Sequence, residues 1–297
     1  MVLRRGTARR YSFLVRSSNL SDSLYPCGSL YFNECINILS WNDRQKLLRF
    51  FSLISRPTMK GSNMLFAAIL AGGKGSRMGN QDKPKQYLLL DNKPIIVYTV
   101  EKFLAFSKID EVLVLCPEAW VESTKDILRT HFGEENRLRV LVGGTTRNDT
   151  IMSAIDYLDA NYDLDECAAL ITHDSVRPFV TYRIIEENIK AMEKFDVCDT
   201  VIPCTDTIVE SSDGSMISAV PDRSHLYQGQ TPQTFKIRKM QSTYASLTED
   251  EKAVLTDACK VFTIKEVPVR LVKGEPFNIK ITYPSDLKIA HALLGME

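Results

Sequence analysis

The sequence predicts an α/β protein: a Rossmann-like three-layer sandwich whose mostly parallel, twisted sheet lies between two layers of helices. Three observations predict it. From residue 64 onward, short apolar runs alternate with amphipathic stretches of helical period. A glycine-rich segment directly follows the first apolar run, at the edge where open α/β sheets bind ligands. A turn-rich segment at about 205–230 interrupts this rhythm and predicts a β-arm that projects from the sheet.

The predicted elements alternate along the chain. Strands are predicted at Leu65–Ala71, Glu111–Cys116, Leu138–Val142, Ala168–Thr172 and Thr200–Pro203, and helices at Ile95–Phe106, Ala119–His131, Thr146–Leu158 and Tyr182–Met192. In the arm, Thr207–Glu210 and Met216–Ala219 flank an SSDG turn and predict a hairpin. The chain is expected to finish with strands at Arg270–Lys273 and Asn278–Thr282 and a helix near Pro284–Leu294.

The overall composition excludes several classes of protein. The chain has 37 Lys and Arg against 37 Asp and Glu, so its formal net charge is zero. This balance argues against a nucleic-acid or membrane-surface partner and means that any anion site is a local cluster of basic residues. No apolar run approaches the roughly 18–20 residues that cross a bilayer. The seven cysteines show no CxxC spacing, which predicts reduced thiols and a cytoplasmic protein.

Residues 1–63 differ in composition from the rest. The first 20 residues contain five arginines, several Ser and Thr residues and no acidic residue, as in a transit peptide. Alternatively, Met64, which stands directly before the first strand, is the true start, and residues 1–63 are a disordered or artefactual extension. We therefore expect the functional domain to span residues 64–297.

The glycine-rich segment LAGGKGSRMG indicates a triphosphate site, the alternative being an ordinary glycine-rich turn with solvated charges. Glycines let the backbone approach a ligand closely, and successive N–H groups in such a turn form a concave anion site. Arg77 within the segment and Lys85 shortly after it add cationic donors. Met78 stands where the dinucleotide pattern GxGxxG needs a glycine, and the Walker A pattern is also broken, so the usual dinucleotide and P-loop interpretations lose their support.

Asp174 is a candidate magnesium ligand. It follows an apolar strand and should lie at that strand's carboxyl end, where a carboxylate can bind Mg²⁺, which takes oxygen ligands and bridges phosphates. The alternative is a helix cap, but a cap stands immediately before its helix, and Asp174 lies several residues too early. The neighbouring His173 is more typical of a packed, hydrogen-bonding residue.

Several motifs occur in a fixed order along the chain: GGxGxRM, PKQ, Gly143-Gly144-x-x-Arg147, HDSVRP, Asp206-Thr207, QTPQ, Thr256-Asp257 and Asn278-Ile279-Lys280. Together they cover about residues 64–294. In this order they resemble the cytidylyltransferases that activate 2-C-methylerythritol 4-phosphate or ribitol 5-phosphate, which have a nucleotidyltransferase-like fold. The longer segments HDSVRPF, LYQGQTPQTF and LTDACK are most similar to the ribitol 5-phosphate branch, which supplies CDP-ribitol for teichoic-acid-type polymers.

The resemblance assigns roles to individual residues. It implies a CTP site at Leu70, Ala71, Gly72, Gly73, Gly75, Arg77, Lys85, Gly144, Arg147, Asp149 and Thr150, and a polyol-phosphate site at Arg177, Thr207, Arg223 and Lys280. Arg77, Lys85 and Lys280 are the implied catalytic residues. Gly144, Asp149 and Thr150 would help to select cytosine. Arg223 or Thr207 would serve the neighbouring subunit of a homodimer formed through the arm.

The implied reaction is direct in-line displacement. A phosphate oxygen of D-ribitol 5-phosphate attacks the α-phosphorus of CTP, and pyrophosphate leaves with Mg²⁺. A phosphate is already an anionic nucleophile, so positioning and charge stabilisation rather than a general base must supply the acceleration. The same reaction on 2-C-methylerythritol 4-phosphate is the nearest alternative. A sugar-1-phosphate nucleotidyltransferase, a non-catalytic nucleotide-binding protein and a nicotinamide oxidoreductase are more distant ones.

Overall fold

The computed structural model describes residues 64–73, 78 and 83–295. The predicted extension, residues 1–63, lies outside this described part, as do Gly75 and Arg77 of the glycine-rich segment.

A seven-stranded sheet forms the centre of the described chain. The strands, numbered along the chain, are β1 (Leu65–Leu70), β2 (Leu89–Leu90), β3 (Lys93–Pro94), β4 (Glu111–Cys116), β5 (Leu138–Val142), β6 (Ala169–Asp174), β7 (Val197–Pro203), β8 (Tyr227–Lys236) and β9 (Arg270–Lys273). The order across the sheet is β5-β4-β1-β6-β8-β7-β9, and β2 pairs with β3 in a separate small sheet. All neighbouring pairs of the large sheet are parallel except the two made by β8. The mostly parallel sheet predicted from the sequence is therefore confirmed.

Helices cover both faces of the sheet. They are α1 (Ile95–Leu104), α2 (Val121–Phe132), α3 (Arg147–Asn161), α4 (Tyr182–Ala191), α5 (Ile237–Ala245), α6 (Glu249–Ala253), α7 (Ala258–Ile264) and α8 (Pro284–Leu294). One apolar core joins α1, α2 and α4 to the sheet, and a second joins α3, α5 and α7. Among the described residues, no helix is long and apolar enough to cross a membrane.

The central strand β1 shows why both faces are covered. Its six residues are all buried, with Leu65, Ala67 and Ile69 in one core and Phe66, Ala68 and Leu70 in the other. Successive side chains of a strand point to opposite faces, so a continuous apolar run needs apolar partners on both sides. Burying this surface contributes roughly 25 cal/mol per Å², and it leaves the polar residues to gather where the strands end.

Two predicted elements differ from the structure. Asn278–Thr282 does not form a strand; it is an irregular segment beyond β9. The predicted arm hairpin contains a single antiparallel bridge, in which Glu210 pairs with Ala219 around a turn at 211–216. The side chain of Asp213 accepts hydrogen bonds from the backbone amides of Ser215 and Met216 in that turn. Local turn contacts therefore shape the arm in place of the predicted strand ladder.

Candidate functional site

A cleft of about 380 Å³ opens at the carboxyl ends of β1 and β6. Three chain segments and two separate cations form its wall: the start of the glycine loop, the N-terminus of α3, the residues after β6, Lys85 and Lys280. The lining residues are Leu70, Gly72, Gly73, Lys85, Gln86, Gly144, Thr145, Thr146, Arg147, Thr150, Asp174, Ser175, Val176, Lys280 and Thr282. This is the edge of an open α/β sheet at which ligands bind.

The described start of the glycine loop is held by the sheet and by one buried amide. The backbone N–H of Ala71 donates to the carbonyl of Leu115 (2.8 Å), which extends the β1–β4 pairing by one residue. The side-chain amide of Gln86 donates to the carbonyl of Ala71 (2.6 Å). Ala71 itself is buried, so it shapes the loop from behind, while Gly72 and Gly73 line the cleft.

Lys85 lies in a short 3₁₀ helix, Lys85–Tyr87, and only 8% of it is exposed. The helix is anchored by Tyr87, whose ring stacks on Trp120 with the ring centroids 4.9 Å apart. The Tyr87 hydroxyl is also 2.7 Å from the hydroxyl of Thr124, and burial raises the pKa of Tyr87 to about 12. Tyr87 thus anchors the short helix from which Lys85 lines the cleft.

The first turn of α3 forms another wall. Thr146 is its N-cap: its hydroxyl accepts from the Asp149 amide, and the Asp149 carboxylate accepts from the Thr146 amide, which completes a capping box. A Cβ on Gly144 would come within 2.3 Å of the Asp149 Cβ, so only glycine fits there. Because unpaired amides and the helix dipole favour negative charge, this N-terminus suits an anionic ligand.

Asp174 lies at the centre of a cluster of three cations. Its carboxylate forms ion pairs with Arg147, with the Arg177 Nε at 3.2 Å and with the Lys280 Nζ at 3.0 Å. Burial alone would raise the pKa of Asp174, but the charges of Arg147, Lys280 and Arg177 outweigh it and hold that pKa well below its ordinary value. Three positive groups therefore surround one negative group, and the cluster carries an excess of positive charge.

Arg177 supports this cluster from behind. The residue is 9% exposed, and it is not among the described residues that line the cleft. Its guanidinium donates to Asp174 and, through Nη1, to the carbonyl of Asn278 (2.7 Å). Burial lowers the pKa of Arg177, and the charge of Asp174 partly offsets that effect.

His173 is a packed residue, in keeping with the expectation from its sequence context. It is fully buried against Phe103, and burial lowers the pKa of His173 to about 3. A carbonyl can only accept, so Nε2 donates to the Arg177 carbonyl (3.1 Å), and Nδ1 accepts from the Thr231 hydroxyl (3.0 Å). The neutral ring thus braces the loop that carries Asp174 and Arg177.

A family model described as IspD, 2-C-methyl-D-erythritol 4-phosphate cytidylyltransferase, matches residues 65–296. The chain belongs to the IspD family. Membership in this family makes it a CTP-dependent cytidylyltransferase, an enzyme that uses CTP and a phosphorylated sugar or polyol. The enzyme class predicted from the sequence motifs is thus confirmed.

Solved structures of IspD-family proteins have the same fold. The 4-diphosphocytidyl-2C-methyl-D-erythritol synthase of Anaerococcus prevotii is 27% identical with a TM-score of 0.64, over 78% of this chain and 96% of that one. A second 4-diphosphocytidyl-2C-methyl-D-erythritol synthase is 26% identical with a TM-score of 0.63, over 78% of this chain and all of that one. The Thermus thermophilus cytidylyltransferase, at 24% identity and a TM-score of 0.59 over 77% and 98% of the two chains, matches in fold.

The structure brings most of the sequence-predicted IspD site residues into one cleft. Leu70, Gly72, Gly73, Lys85, Gly144, Arg147, Thr150, Asp174 and Lys280 line it. Asp149 caps α3 and lies outside the lining, while Thr207 and Arg223 lie on the exposed arm, where Arg223 donates to the carbonyl of Thr205 (2.7 Å). Sequence reasoning gave no role to the cleft residues Gln86, Thr145, Ser175, Val176 and Thr282, and it gave Thr146 only the role of a helix cap, which the structure confirms. Gln86 and Ser175 lie inside motifs of the family, and that position is the feature of the sequence that could have indicated a role in the site.

Enzymes of the IspD family commonly use a divalent metal ion. Within the described residues, no group of three or more His, Cys, Asp or Glu side chains could hold one. Asp174 offers a carboxylate, but both of its oxygens already face cations. One carboxylate together with phosphate oxygens is a common magnesium environment. The site therefore fits Mg²⁺ that arrives with a triphosphate better than Mg²⁺ alone.

Proposed function

We propose that this enzyme transfers the cytidylyl group of CTP to D-ribitol 5-phosphate, which gives CDP-ribitol and pyrophosphate for teichoic-acid-type polymers. Support for the acceptor comes from the segments HDSVRPF, LYQGQTPQTF and LTDACK, which are most similar to the ribitol 5-phosphate branch. The main structural support for the reaction is the ion pair between Lys280 and Asp174, which lies in the same cleft as Lys85 and the start of the glycine loop.

The two reacting groups are both anions and repel each other. Lys85, together with Arg77 and the first turn of α3, would offset charge on the triphosphate. Lys280 would hold the attacking phosphate, and Arg177 would keep the Asp174 cluster in place from behind. The excess positive charge of that cluster supports these separate roles for Lys85 and Lys280, because an incoming phosphate can replace Asp174 as the partner of Lys280. Preorganised positive groups of this kind stabilise charge as the transition state forms.

Asp174 would be the protein ligand of Mg²⁺, with the triphosphate supplying further oxygens. When bound, the ion neutralises part of the triphosphate charge. Gly144, Asp149 and Thr150 would select cytosine through the loop that Gly144 shares with the first turn of α3. Because the Gly144 amide donates to the Thr150 hydroxyl (3.1 Å), this loop has a fixed shape, which suits recognition of a flat base edge.

We further propose that the enzyme acts as a homodimer joined by the arm, and that Thr207 and Arg223 bind the acceptor phosphate in the partner subunit's site. Both residues lie on the exposed arm and outside the cleft lining of their own chain. The arm also carries apolar side chains in contact with solvent, among them Met216, which is 72% exposed, and Ile217, which is 64% exposed. A second copy of the chain would cover them.

A second acceptor, 2-C-methyl-D-erythritol 4-phosphate, is favoured by the name of the family model and by the names of the similar solved structures. One experiment decides between the two. The protein is incubated with CTP, Mg²⁺ and each polyol phosphate, and pyrophosphate release is measured. We expect a kcat/KM at least tenfold higher for D-ribitol 5-phosphate, a difference of about 1.4 kcal/mol in transition-state binding. Faster turnover of the methylerythritol phosphate would overturn the ribitol proposal and leave the cytidylyltransferase assignment intact.

A further inference from the structure

The segment that carries Lys280 lies outside the sheet. The backbone amide of Gly274 donates to the carbonyl of Val201 (2.8 Å), and that of Ile281 donates to the carbonyl of Val176 (3.0 Å). Between these two anchor points, the described backbone makes no strand pairing. Side chains must therefore fix the position of residues 275–280.

Two buried amides provide much of this fixation, beside an ion pair between Arg183 and Glu275 (2.6 Å). The fully buried Asn278 donates from Nδ2 to the Gln230 Oε1 (3.1 Å) and to the carbonyl of Thr231 (2.9 Å). Gln230 in turn donates from Nε2 to the carbonyl of Glu275 (2.9 Å). The fit is close, because a Cβ on Gly274 would lie 2.3 Å from the Gln230 Oε1. We call Asn278 and Gln230 the amide clamp.

An irregularity in the sheet supplies the β8 half of the amide clamp. In the β7–β8 pairing, Asp199 lies opposite Gln233, whereas Val201 lies opposite Gly229. The single residue Thr200 therefore faces three residues of β8, and its hydroxyl donates to the carbonyl of Pro232 (2.6 Å). A bulge of this kind re-aims side chains, and here it accompanies the contact of Gln230 with the segment beyond β9.

The amide clamp is linked to the charged cluster of the cleft at two points. Arg177 donates to the backbone carbonyl of Asn278 (2.7 Å) and, through Nε, to the carboxylate of Asp174 (3.2 Å). Lys280 stands two residues after Asn278, and its Nζ lies 3.0 Å from the same carboxylate. The backbone of Lys280 is therefore fixed relative to Asp174 from two sides, by Asn278 before it and by the backbone hydrogen bond of Ile281 after it.

We infer that Asn278, oriented by Gln230, is a positioning residue that places the Lys280 ammonium for the attacking phosphate. The inference rests on the proposed function, since it assumes that Lys280 holds that phosphate. The physical basis of the inference is that a long, partly exposed lysine side chain is positioned only as precisely as the backbone that carries it. A misplacement of about 1 Å in a reacting group costs on the order of 10²-fold in rate.

The test compares Asn278→Ala with a matched control, Arg137→Ala. Arg137 directly precedes β5, at the amino-terminal edge of the sheet and away from the cleft. Its side chain also holds a segment outside the sheet, by donating to the carbonyls of Leu104 (2.8 Å) and Phe106 (3.1 Å) at the end of α1. Both variants lose hydrogen bonds that hold such a segment. We expect Asn278→Ala to lower kcat/KM for the polyol phosphate by about 10- to 100-fold with little change in KM for CTP. The folded fraction of Arg137→Ala should retain its activity.

A double-mutant cycle with Lys280→Ala separates positioning from general destabilisation. If Asn278 acts through Lys280, adding Asn278→Ala to the Lys280→Ala protein changes the rate little further. The inference would be overturned if the effects of the two substitutions multiplied in the double variant. It would also be overturned by an Asn278→Ala enzyme as active as Arg137→Ala.

A measurement of phosphate binding tests the role of Asn278 independently of which polyol phosphate is the acceptor. Should the wild-type protein release no pyrophosphate from CTP with either polyol phosphate, the proposed function fails. The affinity of each variant for inorganic phosphate, measured by calorimetry, then tests the clamp alone. We expect Asn278→Ala to weaken phosphate binding clearly, though less than Lys280→Ala does because the displaced lysine keeps its charge. Wild-type affinity in Asn278→Ala would contradict the positioning role.

Discussion

At the scale of single residues, Lys85 gives the most direct test of the charge argument. Lys85 lines the cleft, and only 8% of its surface is exposed. A charge that is largely removed from bulk water acts more strongly on a ligand than a solvated one does. We expect Lys85→Ala to lower kcat by on the order of 10²–10³-fold, as for the loss of a single electrostatic donor in other enzymes. Pyrophosphate release measures this effect.

The control for Lys85 is a lysine with no access to the cleft. Lys190 on α4 pairs with Glu186 on the exposed face of the same helix. Its replacement by alanine should leave turnover unchanged. Near-normal turnover by Lys85→Ala would show that Lys85 does not contribute to catalysis, whichever polyol phosphate is the acceptor.

Asp174 leads to a prediction about stability and pH. In Asp174→Asn the three surrounding cations lose their counter-charge, which should lower the free energy of unfolding by about 3 kcal/mol at neutral pH. The folded pKa of Asp174 is depressed. Its contribution is therefore complete above the unfolded pKa of about 4 and decreases as pH falls through the folded value.

Urea unfolding at about pH 7, 5 and 3 checks this sign. The stability difference between the wild type and Asp174→Asn should stay constant between the two higher pH values and narrow at the lowest. A difference that widens on acidification would mean that the carboxylate is protonated in the folded protein. The cluster would then lack its central negative charge.

At the scale of elements, the first turn of α3 connects local helix capping to the cleft. Thr146→Ala removes the hydroxyl that accepts from the Asp149 amide and should cost about 1 kcal/mol of stability. Because Thr146 also lines the cleft beside Gly144 and Thr150, the same change should raise KM for CTP several-fold. Thermal unfolding and CTP titrations measure the two effects.

Thr181 is the matched control for that prediction. It caps α4 in the same way, by accepting from the amide of Ile184 (3.3 Å), and it is not among the described residues that line the cleft. Thr181→Ala should lose similar stability without changing KM for CTP. Equal effects of both substitutions on KM for CTP would mean that the N-terminus of α3 stabilises the fold but does not bind CTP.

The elements also show how far the sequence can predict this fold. Strands β4 and β5 match their predicted bounds, because each is a mostly apolar run of strand length, too short for a helix, between polar turns. Strand β8 was not predicted: Tyr227–Lys236 contains Gly229 and Pro232, and glycine and proline within a run argue against a central strand. Its polar side chains reach distant partners: the Nε2 of Gln233 donates to the carboxylates of Asp199 and Asp257, and no local pattern reveals such partners.

The candidate site was easier to predict from the sequence than the elements that support it. Motif residues such as Lys85, Arg147 and Asp174 lie in one cleft because the ends of adjacent strands meet at one edge of the sheet. Asn278–Thr282 was wrongly predicted as a strand, since its alternating apolar residues have the strand period. In the structure, buried amides hold that segment instead, a solution that depends on contacts some 47 residues apart in sequence.

At the scale of the whole molecule, the proposed acceptor site spans two chains. Lys280 lies in the cleft of its own chain, whereas Arg223 lies on the exposed arm. A two-fold dimer would bring each arm to the other subunit's cleft, because such an interface uses the same patch on both copies. The exposed apolar residues Met216 and Ile217 fit an arm that is covered in the dimer.

Mixing two inactive variants tests this arrangement. Lys280→Ala and Arg223→Ala are each expected to be nearly inactive, and they are combined after reversible dissociation. If Arg223 acts in the partner subunit, each mixed dimer contains one site with both defects and one intact site. Half of the dimers are mixed, so activity should return to about a quarter of the wild-type value. If Arg223 served its own chain, every site would keep one defect, and mixing would restore nothing.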